Sequence, residues 1–231
     1  MKYTYELSKE LKKFIAGDVG AFENFYYMTV NEVYYHAVLV TKDAEESKKV
    51  MIRIYKEFFV RLKRMNRPED FSELADSIIY TALTDWVASK CMRLMVQEEG
   101  GKFDTIERLP EIEYMPPKAV YSDTETAGLV ADFITELNSL HALTGLAYYY
   151  DKLDGPKMSQ YLQSDLSIID KRIDYIAEEL KAHTEDFAKE RRIEIKRIDI
   201  RLILLAYTVL SQNIIHPDAD ELYERIVEAL S

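Results

Sequence analysis

The sequence predicts an all-α protein: two helical domains, a linker between them and a helical extension after the second. Three observations carry this. Hydrophobic residues make up 48% of 231 residues, with only 7 glycines, a balance that suits packed helices rather than a disordered chain. Apolar residues recur every three or four positions through most of the sequence, the helical period. Composition then breaks once, after Gln97, where Gly100, Gly101, Pro110, Pro116 and Pro117 interrupt any period. Such a stretch reads as a linker, partly extended by its prolines. The predicted divisions are a helical domain over 1–98, a linker over 99–127, a second helical domain over 128–183 and an extension over 184–231.

Tyr5 to Ile15 forms a first helix, with Leu7, Leu11, Phe14 and Ile15 on one side and Gly17 as its stop. Asp18 can cap a second, in which Phe22, Phe25, Met28 or Thr29, Val33 and Ala37 face inward. The paired tyrosines Tyr26, Tyr27, Tyr34 and Tyr35 could stack on nucleic-acid bases. Packing on a helix face with the hydroxyls at the rim is the commoner use of such rings. Asp43 to Lys90 then reads as two helices around a turn. Val50, Ile54, Phe58 and Leu62 recur in the first, beside Met51 and Tyr55; Phe71, Leu74, Ile78, Leu83 and Trp86 line the second. Asn66, Pro68 and Asp70 break the period, because proline lacks an amide donor and its predecessor avoids helical angles. Asp70, with Glu73 three residues on, is a candidate N-cap.

Beyond the linker, Pro156 to Tyr161 reads as a short helix, Gln163 to Asp165 as a turn and Leu166 to Lys181 as a longer helix. That is a helix-turn-helix. In the extension, Ile195, Ile198, Leu202, Leu205 and Val209 can share a helix face, although RIEIKRIDIRL alternates well enough for a strand. After His216-Pro217, Asp218 can cap a last helix holding Leu222, Ile226 and Leu230. The extension either covers one of the two domains or forms a homodimer contact.

Two stretches share the wording of a known family. Asp43 to Tyr55 and Phe71 to Ser89 resemble region two of the sigma-70 transcription initiation factors of the short extracytoplasmic-function type, whose pattern is roughly D-P-E-D-A-E-D-L-V-Q-E-V-F, a turn, then F-R-A-W-L-Y-R-I-A-R-N-L-A-L-D-Y-L-R-R. The likeness rests on the apolar positions and on Asp43, Glu45, Glu46, Phe71, Ile78 and Asp85. Gly17-Asp18 and Ala21-Phe22 match the opening of that region. Residues 133–183 are similar to region four, with Leu137, Leu146, Tyr149, Leu153, Met158, Leu162, Ile169, Arg172, Ile173 and Ile176 at core or shared positions. The resemblance implies a region-two-like helical bundle, a region-four-like helix-turn-helix, core RNA polymerase and promoter DNA as partners, and no cofactor.

The positions that do the family's work are changed. The face that docks on polymerase, acidic and polar in the family, is occupied here by Lys49, Ile52 and Arg53. Two charges are thus reversed, and like charges brought together oppose association. The helix that meets the −10 promoter element maps onto Ser77, Tyr80 and Thr81, with Lys90 and Arg93 nearby. Most of the expected cations are missing, and with them the phosphate contacts that drive DNA affinity. On the helix that would read the −35 element, Lys171 and Arg172 remain, but Asp170 and Asp174 stand where cations are expected. Residues 128–183 hold five Lys or Arg against nine Asp or Glu, which points away from a phosphate-facing helix.

Formal charge totals −11, unlike the basic face of most nucleic-acid binders. The strongest basic excess, Lys56 to Arg67, suits the carbonyl end of a solvated helix; contact with a polyanion or an acidic partner is the other reading. Cys91 is alone, so no internal disulfide can form and a reducing cytoplasm is the expected compartment. The run from Leu202 to Leu210 falls far short of the roughly 20 residues that span a bilayer. His36, His141, His183 and His216 lack metal-ligand spacing, and neither a glycine-rich phosphate loop nor a nucleophile motif is present. His36, among apolar neighbours, is read as a satisfied or surface histidine rather than a base, and no catalytic or metal residue is assigned. Two functions follow. One is a divergent sigma-type initiation factor that guides core RNA polymerase to promoters. The other is a degenerate sigma-like protein acting as a protein-interaction or regulatory module without DNA binding.

Overall fold

A computed structural model describes residues 4–97, 125–191 and 198–230, and every regular element among them is helical. Helix α1 (Tyr5–Ile15) starts at Thr4, whose hydroxyl accepts the Leu7 amide, and buries Leu7, Leu11 and Phe14. Gly17 ends it at φ 103°, a left-handed conformation that glycine adopts without a Cβ clash. Asp18 accepts the Gly20 amide at 3.1 Å. It therefore closes the turn before α2 (Ala21–Thr41) rather than capping that helix, whose N-cap is Gly20.

Helix α2 organises the molecule. Its first half is amphipathic, but all residues from Val33 to Thr41 are buried, as expected of a helix wrapped by neighbours on every side. Helices α1, α3 (Ala44–Leu62) and α4 (Phe71–Gln97) pack against it. Asp43 caps α3 through the Glu46 amide at 2.8 Å. Pro68–Asp70 form a 3-10 turn before α4, where the Asp70 carboxylate takes the Arg67 guanidinium at 3.0 Å. Inside, Phe25 sets its ring edge-on to Phe58 and Phe71, with centroids 5.3 and 5.6 Å away. Buried aromatic pairs of this kind add to what area burial alone gives.

Helix α5 (Glu125–Glu136) begins within the predicted linker, the rest of which lies outside the described residues. Helix α6 (Ser139–Gly145) continues into a π-helical turn, Leu146–Tyr150, and then come α7 (Gly155–Tyr161) and α8 (Leu166–Arg191). The short and the longer helix lie where the sequence places them, with Gln163 in the turn between them at φ 49°, but α8 runs ten residues beyond the predicted end at Lys181. Helices α6 and α7 pack on α4, and α6 packs on α2. One hydrophobic core runs without a break through these helices and on into the extension.

The extension contributes α9 (Ile200–Asn213) and α10 (Ala219–Leu230). Helix α9 turns Ala206, Tyr207 and Leu210 inward, while Leu205 is 43% exposed. The predicted face is thus rotated, because Tyr207 takes the inward place beside Gly145. A Cβ at Gly145 would lie 2.4 Å from the Tyr207 hydroxyl, so this close approach requires glycine. Residues 192–197, where the strand alternative mostly falls, lie outside the described residues. Asp218 caps α10 as expected, through the Glu221 amide at 3.1 Å, and α10 covers α2 and α3. Of the four tyrosines of α2, Tyr26, Tyr34 and Tyr35 are buried and Tyr27 is 42% exposed, and three of the hydroxyls grip the extension. Tyr26 donates to the Ala219 carbonyl at 2.6 Å, Tyr27 to the Asp220 carboxylate at 2.7 Å and Tyr35 to the Tyr207 carbonyl at 3.0 Å. No helix among the described residues is long and apolar enough to cross a membrane.

Candidate functional site

Three places gather the residues that the sequence singles out, together with others it did not. The first is the outer face of α3 and α4. Lys49 donates to Glu46 at 2.8 Å, and the other oxygen of Glu46 takes the Trp86 indole at 2.9 Å and pairs with Lys90 at 3.2 Å. The bond from Lys49 and then that from Trp86, with help from Lys90, hold this carboxyl down to about 2. Arg53 pairs with Asp85, whose second oxygen meets the Gln163 amide at 3.5 Å. Ile52 is half-buried against the core. Lys49 and Arg53 are therefore balanced by acids of the same face.

The second place is a buried polar node. His36, on α2, is 1% exposed. Its Nδ1 lies 2.7 Å from the Glu32 carbonyl and its Nε2 lies 2.7 Å from Asp151 Oδ2. Both ring nitrogens face acceptors, so both carry protons and the ring is an imidazolium. Tyr80, fully buried on α4, donates to the same carboxylate oxygen at 2.6 Å. Burial opposes charge on the ring, but the Asp151 carboxylate and its hydrogen bond outweigh it and, with Glu32, raise the His36 pKa. Burial likewise opposes charge on Asp151, yet His36 and Tyr80 hold that carboxyl well below its usual range. Asp76, one turn before Tyr80 on α4, is pushed up by burial and the nearby Asp151 charge. Three elements distant in sequence, α2, α4 and the connection before α7, are joined here by a charged contact.

This node and its surroundings relocate several sequence candidates. Tyr80 is interior, covered by the connection that carries Asp151, and does not face solvent. Thr84, one turn along, donates to the Tyr161 carbonyl of α7 at 3.0 Å, and Lys157 pairs with Glu73 at 3.2 Å. Helix α4 thus carries α7 on this side. Ser77, Thr81 and Lys90 are half-buried on the same helix. The Arg93 side chain lies outside the described residues.

The third place is α8. Its solvent side exposes Ile168, Asp170, Lys171, Asp174 and Tyr175, while Arg172 folds back to donate to the Ser164 hydroxyl at 3.3 Å. Tyr175 stacks on His141 of α6 with ring centroids 4.5 Å apart. From there a groove of about 410 Å³ runs between α8 and the end of α5, with Phe133, Tyr175 and His183 on its walls and Glu136, Glu179 and Asp186 at its edges. Asn138 positions His141: its carbonyl oxygen accepts the His141 backbone amide at 3.0 Å, and its side-chain nitrogen lies 2.9 Å from His141 Nδ1. His183 Nε2 is buried with no hydrogen-bond partner among the described residues. The arrangement suits a cation with an apolar stem, because ring faces and carboxylates both attract positive charge.

Sequence reasoning did not find the groove or the node. The groove draws on α5, α6 and α8 together, and no spacing within one segment signals it. His36 and Asp151 are 115 residues apart. Among the described residues, no group of three or more His, Cys, Asp or Glu is placed to hold a metal ion. Comparison with protein-family models and with curated proteins found no match.

Proposed function

We propose that this chain is a protein-interaction module of sigma-like design, and that the α8 groove receives a lysine or arginine side chain from a basic segment of a partner protein. The observation that carries this reading is the groove's lining: Glu136, Glu179 and Asp186 around Phe133, His141 and Tyr175, on the helix where a DNA reader would present cations. Exposed Ile168 continues the stripe of Tyr175 toward the start of α8, giving an amphipathic partner helix a second apolar contact. Duplex DNA would meet Asp170 and Asp174 on the neighbouring side, and repulsion of phosphates there opposes binding.

Fluorescence anisotropy with a labelled arginine-rich amphipathic peptide and a labelled duplex, at physiological salt, tests the proposal. The peptide should bind, and Glu179→Lys with Asp186→Lys should weaken it at least about tenfold through charge repulsion. Tighter binding to the duplex than to the peptide would sink the reading.

Initiation-factor activity is the second reading, favoured by the order of the two sigma-like motifs and by exposed Lys171. It requires α7 and the connection bearing Asp151 to leave α4, since that helix now carries both. Submicromolar binding to core RNA polymerase without DNA would promote this reading; no binding at tens of micromolar would remove it.

A further inference from the structure

A second groove, separate from the α8 groove, lies between the π-helical turn and the start of α9. It measures about 360 Å³ and is lined by Tyr148, Tyr149, Lys152, Leu153, Ile200, Arg201 and Leu204, a volume within the range of small-molecule sites. Its floor is apolar, with Leu153 and Tyr149 at 9% and 7% exposure and Ile200 at 60% on the rim. Among the described residues, its only charged lining residues are two cations, Lys152 and Arg201, which stand out in a chain of formal charge −11. The side chains of both are exposed and form no ion pair among the described residues. Asp199, the N-cap of α9, accepts the Arg201 and Leu202 amides at 2.9 and 3.0 Å.

The backbone here is built for the shape. The π-helical turn brings the Asp151 amide to the Leu146 carbonyl at 2.9 Å, setting Tyr148 and Tyr149 in succession with ring centroids 4.8 Å apart. Lys152 follows at φ 54°, a conformation costly for a residue with a side chain. Burial, the neighbouring Tyr148 and Asp174 push the Tyr149 phenol up to about 12, so it remains a neutral donor.

We infer that this groove binds a small amphipathic monocarboxylate, with its flat apolar body between Tyr149, Leu153 and Leu204 and its carboxylate between Lys152 and Arg201. Two cations flanking an apolar floor recognise that combination and neither part alone. A neutral isostere would leave both cations without a partner, and acetate would leave the floor uncovered.

Isothermal titration calorimetry on the full chain tests this with 2-naphthoate, 2-naphthylmethanol and acetate. Naphthoate should bind, the alcohol at least about tenfold more weakly, as expected for loss of a charge-assisted hydrogen bond, and acetate not measurably. Lys152→Asn, chosen because asparagine tolerates the left-handed backbone, and Arg201→Gln should each weaken naphthoate several-fold and leave the alcohol unchanged. Leu204→Glu should abolish naphthoate binding by placing a carboxylate in the floor. Circular dichroism establishes that each variant is folded before it is titrated. Equal affinity for acid and alcohol, indifference to both cation variants, or no naphthoate binding at millimolar concentration would overturn the assignment.

Discussion

Two acid–base pairs join neighbouring elements of this protein with similar chemistry and unlike surroundings. Arg53 and Asp85 link α3 to α4 at the surface, with side chains 54% and 35% exposed. His36 and Asp151 link α2 to the connection before α7 at 1% and 9% exposure. Water screens the first pair, and its long side chains lose conformational freedom on pairing, so its net contribution is small. The second is held by the Tyr80 hydroxyl and the Glu32 carbonyl, and removing one partner leaves a charge buried alone. Contact type thus says little about energy until the surroundings are known.

The largest effect should come from the buried side of this comparison. Asp151→Asn leaves the imidazolium without its counter-charge and should cost about 3–5 kcal/mol in urea denaturation; a loss under 1 kcal/mol would mean that the ring is neutral in the folded protein. Next comes Gly145→Ala, where the new methyl meets the Tyr207 hydroxyl. Overpacking of this kind costs about 1–3 kcal/mol. Tyr207→Phe in the same chain should recover part of the loss, and failure to do so would place the strain elsewhere.

A smaller effect separates the pairs by pH. The folded pKa of His36 lies above its ordinary 6.5, so its contribution is complete below 6.5 and fades as pH rises through the raised value. The folded pKa of Asp151 lies below its ordinary 3.8, so its contribution is complete above 3.8 and fades as pH falls through the lowered value. Lys42 works in the opposite sense on the alkaline side. Burial pushes its ammonium down to about 7 from 10.5, so stability rises over that interval as the unfolded chain holds the extra proton. The stability difference between the protein and His36→Gln isolates the histidine and should shrink steadily above pH 6.5. A difference that stays flat to pH 9 would contradict the ion pair. Smallest of all, Arg53→Ala should cost at most about 1 kcal/mol after allowance for solvent screening, and raised salt should remove most of that.

How much of this could be read in the sequence follows from where each helix lies. Helices α1 and α3 each bury one stripe, so the spacing of Leu7, Leu11 and Phe14, or of Val50, Ile54, Phe58 and Leu62, located them closely. In the second half of α2, burial on every side erases the period, so spacing gave no clue that it is the central helix. Tyr80 was misplaced because pattern matching assigns a residue to a helix face but not to the element that covers that face; here it is the connection carrying Asp151. Leu205 was misplaced because α9 has apolar residues around much of its circumference, and Tyr207 takes the inward position through its fit to Gly145. The α8 groove had a partial signal, the surplus of acids over 128–183, but its aromatic walls come from three helices.

The tyrosines of α2 carry a consequence for how the chain is made. Tyr26, Tyr27 and Tyr35 find their partners at Ala219, Asp220 and Tyr207, between 172 and 193 residues further on. At ribosomal speeds of about 5–20 residues per second, that separation corresponds to roughly ten to forty seconds. During that interval α2 can gather α1, α3 and α4, but one flank stays uncovered, with aromatic rings and hydroxyls open to solvent or to other nascent chains. Completion of the fold therefore waits for α9 and α10. Synthesis thus leaves that flank of α2 without its native partners for a time set by translation.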